Sequence, residues 1–180
     1  MVTVKDVLRL ARITDVPQLE SLISVSARNL SRGFYTSEQI EAAITHLFGV
    51  DTQLVADGTY YLVERERRPV ACGGWSRWRR LFGADRAKSG GDGMLDPAAE
   101  PAKLRAFFVD PGAARQGLGR RLAEECARAA KAAGFSALEL AATLPGVPLY
   151  EACGFAAAES FDIALPGGIR LPLLRMRRPL

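Results

Sequence analysis

Residues 105–122 read Arg-Ala-Phe-Phe-Val-Asp-Pro-Gly-Ala-Ala-Arg-Gln-Gly-Leu-Gly-Arg-Arg-Leu. The apolar run from Leu104 to Val109 predicts a strand, and Asp110-Pro111-Gly112 predicts a turn. Two glycines, Gly117 and Gly119, then open a segment with Leu118, Leu122, Cys126 and Ala130 at helical spacing, which Gly134 stops. A helix that starts on glycine after a turn leaves its first N–H groups unpartnered at the positive end of its dipole. Such a turn binds anions, phosphates above all.

The chain on either side places this unit in a sheet. Ala137–Leu140 predicts the next strand, so residues 104–140 form a strand–helix–strand unit with one parallel, right-handed crossover. Upstream, Leu8–Ala11 alternates weakly as a first strand. Asp15 and Gln18 resemble a capping box with Pro17 in the first turn, ahead of a stripe at Leu19, Leu22, Ile23, Ala27 and Leu30. A second helix starts near Thr36 or Ser37, carries Ile40, Ile44, Leu47 and Phe48 on one face, and ends at Gly49. Tyr60–Glu64 and Val70–Ser76 predict a hairpin. From Arg77 to Lys103 periodicity vanishes among Gly83, Gly90, Gly91, Gly93 and Pro97, which predicts a long irregular loop. Val147–Cys153 predicts a short helix ended by Gly154, and Phe155–Ala164 with Arg170–Arg177 a closing antiparallel pair around Pro166-Gly167-Gly168.

With 180 residues, 48% of them hydrophobic, the chain has the size of one mixed α/β domain, spanning 1–180. The net charge of +4, from 24 basic and 20 acidic residues, is dispersed over short arginine groups. It offers neither a long basic run nor a nucleic-acid-binding motif, so no nucleic-acid partner is expected. Cys72, Cys126 and Cys153 are too scattered for a metal site or a disulfide framework, and both Cys72 and Cys126 are expected in the core. The first residues lack a signal-peptide pattern, and no apolar run approaches the ~20 residues of a membrane span. A cytoplasmic protein with no membrane partner is the expectation.

Two phosphate-binding families are excluded by the glycine spacing. The dinucleotide fingerprint needs a third glycine where Leu122 stands, and a Walker loop needs Gly-Lys-Ser/Thr. A second signal lies downstream: Leu149-Tyr-Glu-Ala-Cys-Gly-Phe155, after the next strand. Together the glycine-opened helix and Leu-Tyr-Glu-x-x-Gly-Phe resemble the GNAT superfamily of N-acetyltransferases, closely over residues 104–155. The resemblance implies the GNAT fold, a twisted and mostly antiparallel sheet of about six to seven strands flanked by about four helices. It also implies acetyl-coenzyme A as cosubstrate and an amine acceptor, either a small molecule or a protein N-terminus or lysine. A homodimer is a further expectation of the superfamily.

By the same resemblance the pyrophosphate lies on Arg115, Gln116, Gly117, Leu118, Gly119 and Arg120, in agreement with the anion-site argument. Phe108 and Val109 would offer main-chain groups to the pantetheine arm. Tyr150 matches the tyrosine that protonates the departing thiolate, a step open to a phenol of reference pKa about 10. No metal and no covalent enzyme intermediate are implied. Three positions depart from the family pattern. Ala114 stands where Gln or Arg opens the phosphate motif, Thr143 replaces the asparagine seven residues before the tyrosine, and the strand that carries a glutamate base in many relatives has Lys103, Arg105 and two phenylalanines. The missing base keeps a second reading open, a non-catalytic acetyl-coenzyme A sensor, and transfer of a longer acyl chain a third. The lone histidine, His46, falls on the second helix, where it either borders the acceptor site or stands as a surface or partly buried bystander. Tyr35, Trp75 and Trp78 lie in segments flanking the acceptor cleft, where they would favour a partly apolar or aromatic acceptor, or else pack in the core.

Overall fold

The computed structural model describes residues 5–85 and 93–180. The centre of the predicted loop, including Gly90 and Gly91, lies outside the described residues, as do Met1–Val4. Seven strands form one sheet: β1 (Val7–Leu10), β2 (Tyr60–Arg65), β3 (Arg68–Ser76), β4 (Ala102–Val109), β5 (Ala137–Thr143), β6 (Ala156–Leu165) and β7 (Ile169–Pro179). Their order is β1-β2-β3-β4-β5-β7-β6, antiparallel throughout except for the parallel β4–β5 pair. The crossover between that pair is α4 (Leu118–Ala132), as the 104–140 unit predicts. The other helices are α1 (Val16–Leu30), α2 (Ser37–His46), α3 (Thr52–Ala56) and α5 (Val147–Ala152). Among the described residues five helices therefore flank the sheet, one more than expected; α3 is the addition.

Alternation along the strands divides the core between the two faces. On one face Leu122, Cys126 and Ala130 of α4 pack with Leu104, Leu138 and Met176. On the other, Leu19, Leu22 and Ile23 of α1 pack with Tyr60, Leu62 and Cys72. A third cluster joins Ile40, Ala43 and Leu47 to Leu165, Leu171 and Leu173 of the closing hairpin. The inward stripe expected for α4 is the buried one.

Two expected caps come out differently. Thr36 caps α2 in a reciprocal box: its Oγ1 accepts from the Gln39 N–H (3.1 Å), and Gln39 Oε1 accepts from the Thr36 N–H (2.9 Å). The box expected of Asp15 and Gln18 does not form. The Asp15 carboxylate turns back to the Arg12 N–H (2.7 Å) and to the Arg9 guanidinium (2.8 and 2.9 Å), because a charged partner outbids an amide further on.

Candidate active site

Strands β4 and β5 pair only at Ala102↔Leu138 and Lys103↔Glu139. Past that point they separate into a V, although β5 stays paired to β7 over its whole length. The closed end of the V is laced by charge. Lys103 Nζ meets Glu139 Oε1 at 2.7 Å, Glu139 also accepts from Arg177, and both Lys103 and Glu139 are buried. Burial raises the Glu139 carboxyl, but hydrogen bonds from Lys103 and Arg177 outweigh it and leave the group below the usual carboxylate range.

What opens the V is a bulge in β4. The register with β3 shifts between Cys72 and Gly74, so that β4 carries one extra residue there, and Ala106 sits at φ 55°. The fully buried Tyr60 holds this conformation by donating its hydroxyl to the Ala106 carbonyl (3.0 Å). Across the pair, Gly73 leaves room for the Phe107 ring; a Cβ there would stand 2.5 Å from it. Sheet alternation slips by one at the bulge. Leu104 and Phe107 face α4, whereas Ala106 and Phe108 face the α1 side.

The V is lined by two adjoining cavities. One is bounded by α1 (Ser26, Leu30), the end of β4 (Phe108, Val109), Gly119 and Leu149. The other, open to solvent on one side, lies between Leu47, Phe48, Phe82, Arg105, Leu140 and Leu173. Phe48, Phe107, Phe108, Thr143 and Tyr150 border both, so the two meet there. The Tyr150 ring is held edge-on between Phe107 (6.1 Å) and Phe155 (5.8 Å). Burial pushes its hydroxyl well above the ordinary phenol range, and nearby cysteines push the same way.

The glycine turn stands at the first cavity. Gly117 caps α4 at φ 82° with no side-chain acceptor on the first turn, and Arg115 is also left-handed at φ 63°. Among the described residues no acceptor takes the N–H groups of Leu118, Gly119 or Arg120, the unsatisfied donors of a helix start. At Gly117 a Cβ would meet open space, so its role is the positive φ; Gly119 is small because Leu149 packs 2.8 Å from where its Cβ would lie. The exposed Gln116 is bound to Arg65 (2.9 Å) and to the Gly112 carbonyl (3.2 Å). The Val109 N–H points away from the sheet to Ser26 Oγ (3.3 Å). Every sequence-predicted site residue therefore lies along the V or at its glycine end.

The flanking aromatic residues divide differently. Trp75 is buried on the α4 face against Phe135, and the Trp78 indole donates to Asp57 (2.8 Å), so neither lines the second cavity. Tyr35 is a pin: its hydroxyl donates to the Pro172 carbonyl (2.7 Å) and accepts from the Leu144 N–H (2.9 Å). Burial lifts its phenol to about 12 despite that amide, so it is no base. His46 is exposed at the end of α2 and borders neither cavity.

Residues missed by sequence reasoning form the floor and mouth of the second cavity. Arg105 is buried against Asp51 (3.0 Å), the N-cap of α3, and also donates to the Gly83 carbonyl. Phe82 stacks at a tilt on Phe161 (6.0 Å) at the mouth. The signal for the first was present: Asp51-Thr52 is a cap sequence, and a helix start there turns the carboxylate inward.

A sheet parted by a bulge beside a glycine-capped helix offers an anion site next to an open strand edge, and comparison with known proteins assigns its family. Residues 25–155 match the acetyltransferase (GNAT) family, and the chain belongs to it. The fold is shared with a GCN5-related N-acetyltransferase from Rhodopseudomonas palustris (TM-score 0.70, 17% identity, covering 100% of this chain and 99% of that one). It is also shared with the PaiA N-acetyltransferase from Thermoplasma acidophilum in complex with coenzyme A (0.66, 14%, 98% and 99%). A ribosomal-protein-alanine N-acetyltransferase from Brucella melitensis is similar as well (0.63, 18%, 97% and 99%). No curated protein sequence matches the chain. The family uses acetyl-coenzyme A. The open donors at the glycine turn and the unpaired edge of β4 fit such a ligand, an anion at one end and an extended amide arm along the other.

Proposed function

We propose that this chain, acting as one domain over residues 1–180, transfers an acetyl group directly from acetyl-coenzyme A to an amine of a small molecule or peptide. The observation that carries this reading is the place of Tyr150, at the junction of the glycine-end cavity with the apolar one. Bound acetyl-coenzyme A supplies an activated acyl carbon and a thiolate leaving group. The N–H groups of Gly117–Arg120, with Arg115 and Gln116 beside them, hold the pyrophosphate, and Phe108, Val109 and Thr143 flank the arm. A C–N bond forms as the C–S bond breaks, the Tyr150 hydroxyl gives its proton to the sulfur, and the amine's proton leaves to water. A buried phenol keeps its proton at neutral pH, so the group is present in the acid form when charge develops on the sulfur beside it.

Direct transfer also agrees with the thiols. Burial pushes Cys72 up to about 12, with Tyr60 and the Phe108 backbone only partly opposing it, and raises Cys126 and Cys153 too. None is poised as a thiolate nucleophile.

Among the described residues no Asp, Glu or His lines the second cavity. The acceptor therefore enters as the free amine. The expected pH profile has log(kcat/KM) rising with unit slope and breaking at the pKa of the acceptor itself. Changing to an amine of lower pKa should move the break down by the same amount; a break fixed at one pH for all acceptors would reveal an enzymatic base instead.

The same lack of a base suits a non-catalytic acetyl-coenzyme A sensor. Calorimetry with acetyl-coenzyme A and a thiol-release assay over an amine panel separate the two. Binding with release supports the enzyme, binding without release for any amine supports the sensor, and no binding defeats both.

A further inference from the structure

Resting on the acetyltransferase reading, we infer that the acceptor is a primary monoamine with an aryl or branched-alkyl body and no second charged group. The second cavity is walled by Leu47, Phe48, Leu81, Phe82, Leu140 and Leu173. Its only charged lining residue among those described is Arg105, and that charge is already matched by the buried Asp51 at 3.0 Å and by the Gly83 carbonyl. The cavity thus presents an apolar wall with a neutralised ion pair beneath it.

Charge decides which amines such a space accepts. Among the described lining residues a diamine or polyamine finds no carboxylate for its second ammonium, a cost that binding seldom recovers. Two acidic side chains of β6, the strand that carries Phe161, are engaged in ion pairs: Glu159 with Arg175 (3.3 Å) and Asp162 with Arg170 (3.1 Å). An amino acid fares no better. Its carboxylate would have to settle beside Asp51, whose negative charge already balances Arg105. An apolar amine meets neither penalty. Its body fills the space between Phe48 and Phe82, where an aromatic ring finds edge and face partners, since Phe82 already stacks on Phe161. Its nitrogen points to the junction bordered by Tyr150 and Thr143, where the two cavities meet.

The closing experiment uses the full chain saturated with acetyl-coenzyme A, whose binding is first verified by calorimetry. Phenethylamine and 3-methylbutylamine are compared with 1,4-diaminobutane, L-phenylalanine and an alanine tripeptide, by thiol release and by calorimetric binding to the coenzyme A complex. The expected result is a kcat/KM at least about tenfold higher for the two apolar amines, with binding in the same order. Equal or better use of the diamine, the amino acid or the peptide overturns the inference and leaves acetyl transfer standing. So does acetyl-coenzyme A binding without measurable binding of either apolar amine. If acetyl-coenzyme A itself fails to bind, the functional reading falls first. As a second check, Phe82→Ala should weaken phenethylamine about fivefold and 3-methylbutylamine less, because a lost ring contact is worth about that factor. An unchanged phenethylamine affinity in that variant counts against the assignment.

Discussion

Tyr150→Phe is expected to lower kcat for thiol release by about a hundredfold or more, the usual contribution of a positioned general acid, with the affinity for acetyl-coenzyme A retained. The variant keeps the ring that packs between Phe107 and Phe155 and removes only the hydroxyl. The cavity walls are unchanged, so the loss falls on the transition state, where the sulfur takes up charge, and not on ground-state binding. Stopped-flow or steady-state release gives kcat, and calorimetry gives the cofactor Kd. A parallel fall in affinity would mean that the hydroxyl positions the ligand; an unchanged kcat would mean that the thiolate leaves without help. The pH dependence adds a sign. The phenol acts in its protonated form and burial raises it, so the acid limb should lie above the break set by the amine.

The elements legible in the sequence are those specified locally. The glycine turn, the α4 stripe and the Leu149–Phe155 motif each contain their own instructions within a few residues, and the structure puts them along one V-shaped opening. The bulge is different. Ala106 adopts a left-handed φ with no glycine or asparagine to announce it. The determinants sit on neighbouring strands, in the space left by Gly73 and the hydroxyl of Tyr60. Of the two alternatives open for Trp75, the structure takes the core: it stands opposite Leu104 before the slip, on the α4 face. The aromatic wall comes instead from Phe48, which lies just past the end of α2 and not on its face, and from Phe82, within the aperiodic stretch where neither spacing nor alternation gives direction. Arg105 was visible as a departure from the family pattern, yet its partner Asp51 lies 54 positions away and only the fold joins them.

Glu139→Gln should be strongly destabilising, by about 3–5 kcal/mol, the range for removing one partner of a buried ion pair. The amide leaves Lys103 buried at the closed end of the V with its charge unanswered; Arg177, more than half exposed, can turn to solvent. For a chain of this length that is about 10 °C in Tm, measurable by calorimetry. The sign with pH follows from the lowered carboxyl. Its stabilising contribution is fully present above its unfolded value near 4.5 and is lost as pH falls through the lower folded value. The gap between wild type and variant should therefore be wide at pH 7 and narrow in acid below about pH 4. A gap that stays constant with pH would assign the loss to packing instead of charge. The double variant Lys103→Met/Glu139→Met separates the two further, because replacing both charges by apolar groups of similar size should restore much of the stability. Its cofactor affinity then reports on geometry alone. If the ion pair sets where β4 and β5 part, the double variant will fold but bind acetyl-coenzyme A more weakly, since the last paired residues, Lys103 and Glu139, are the ones that fix the vertex from which the arm's channel opens.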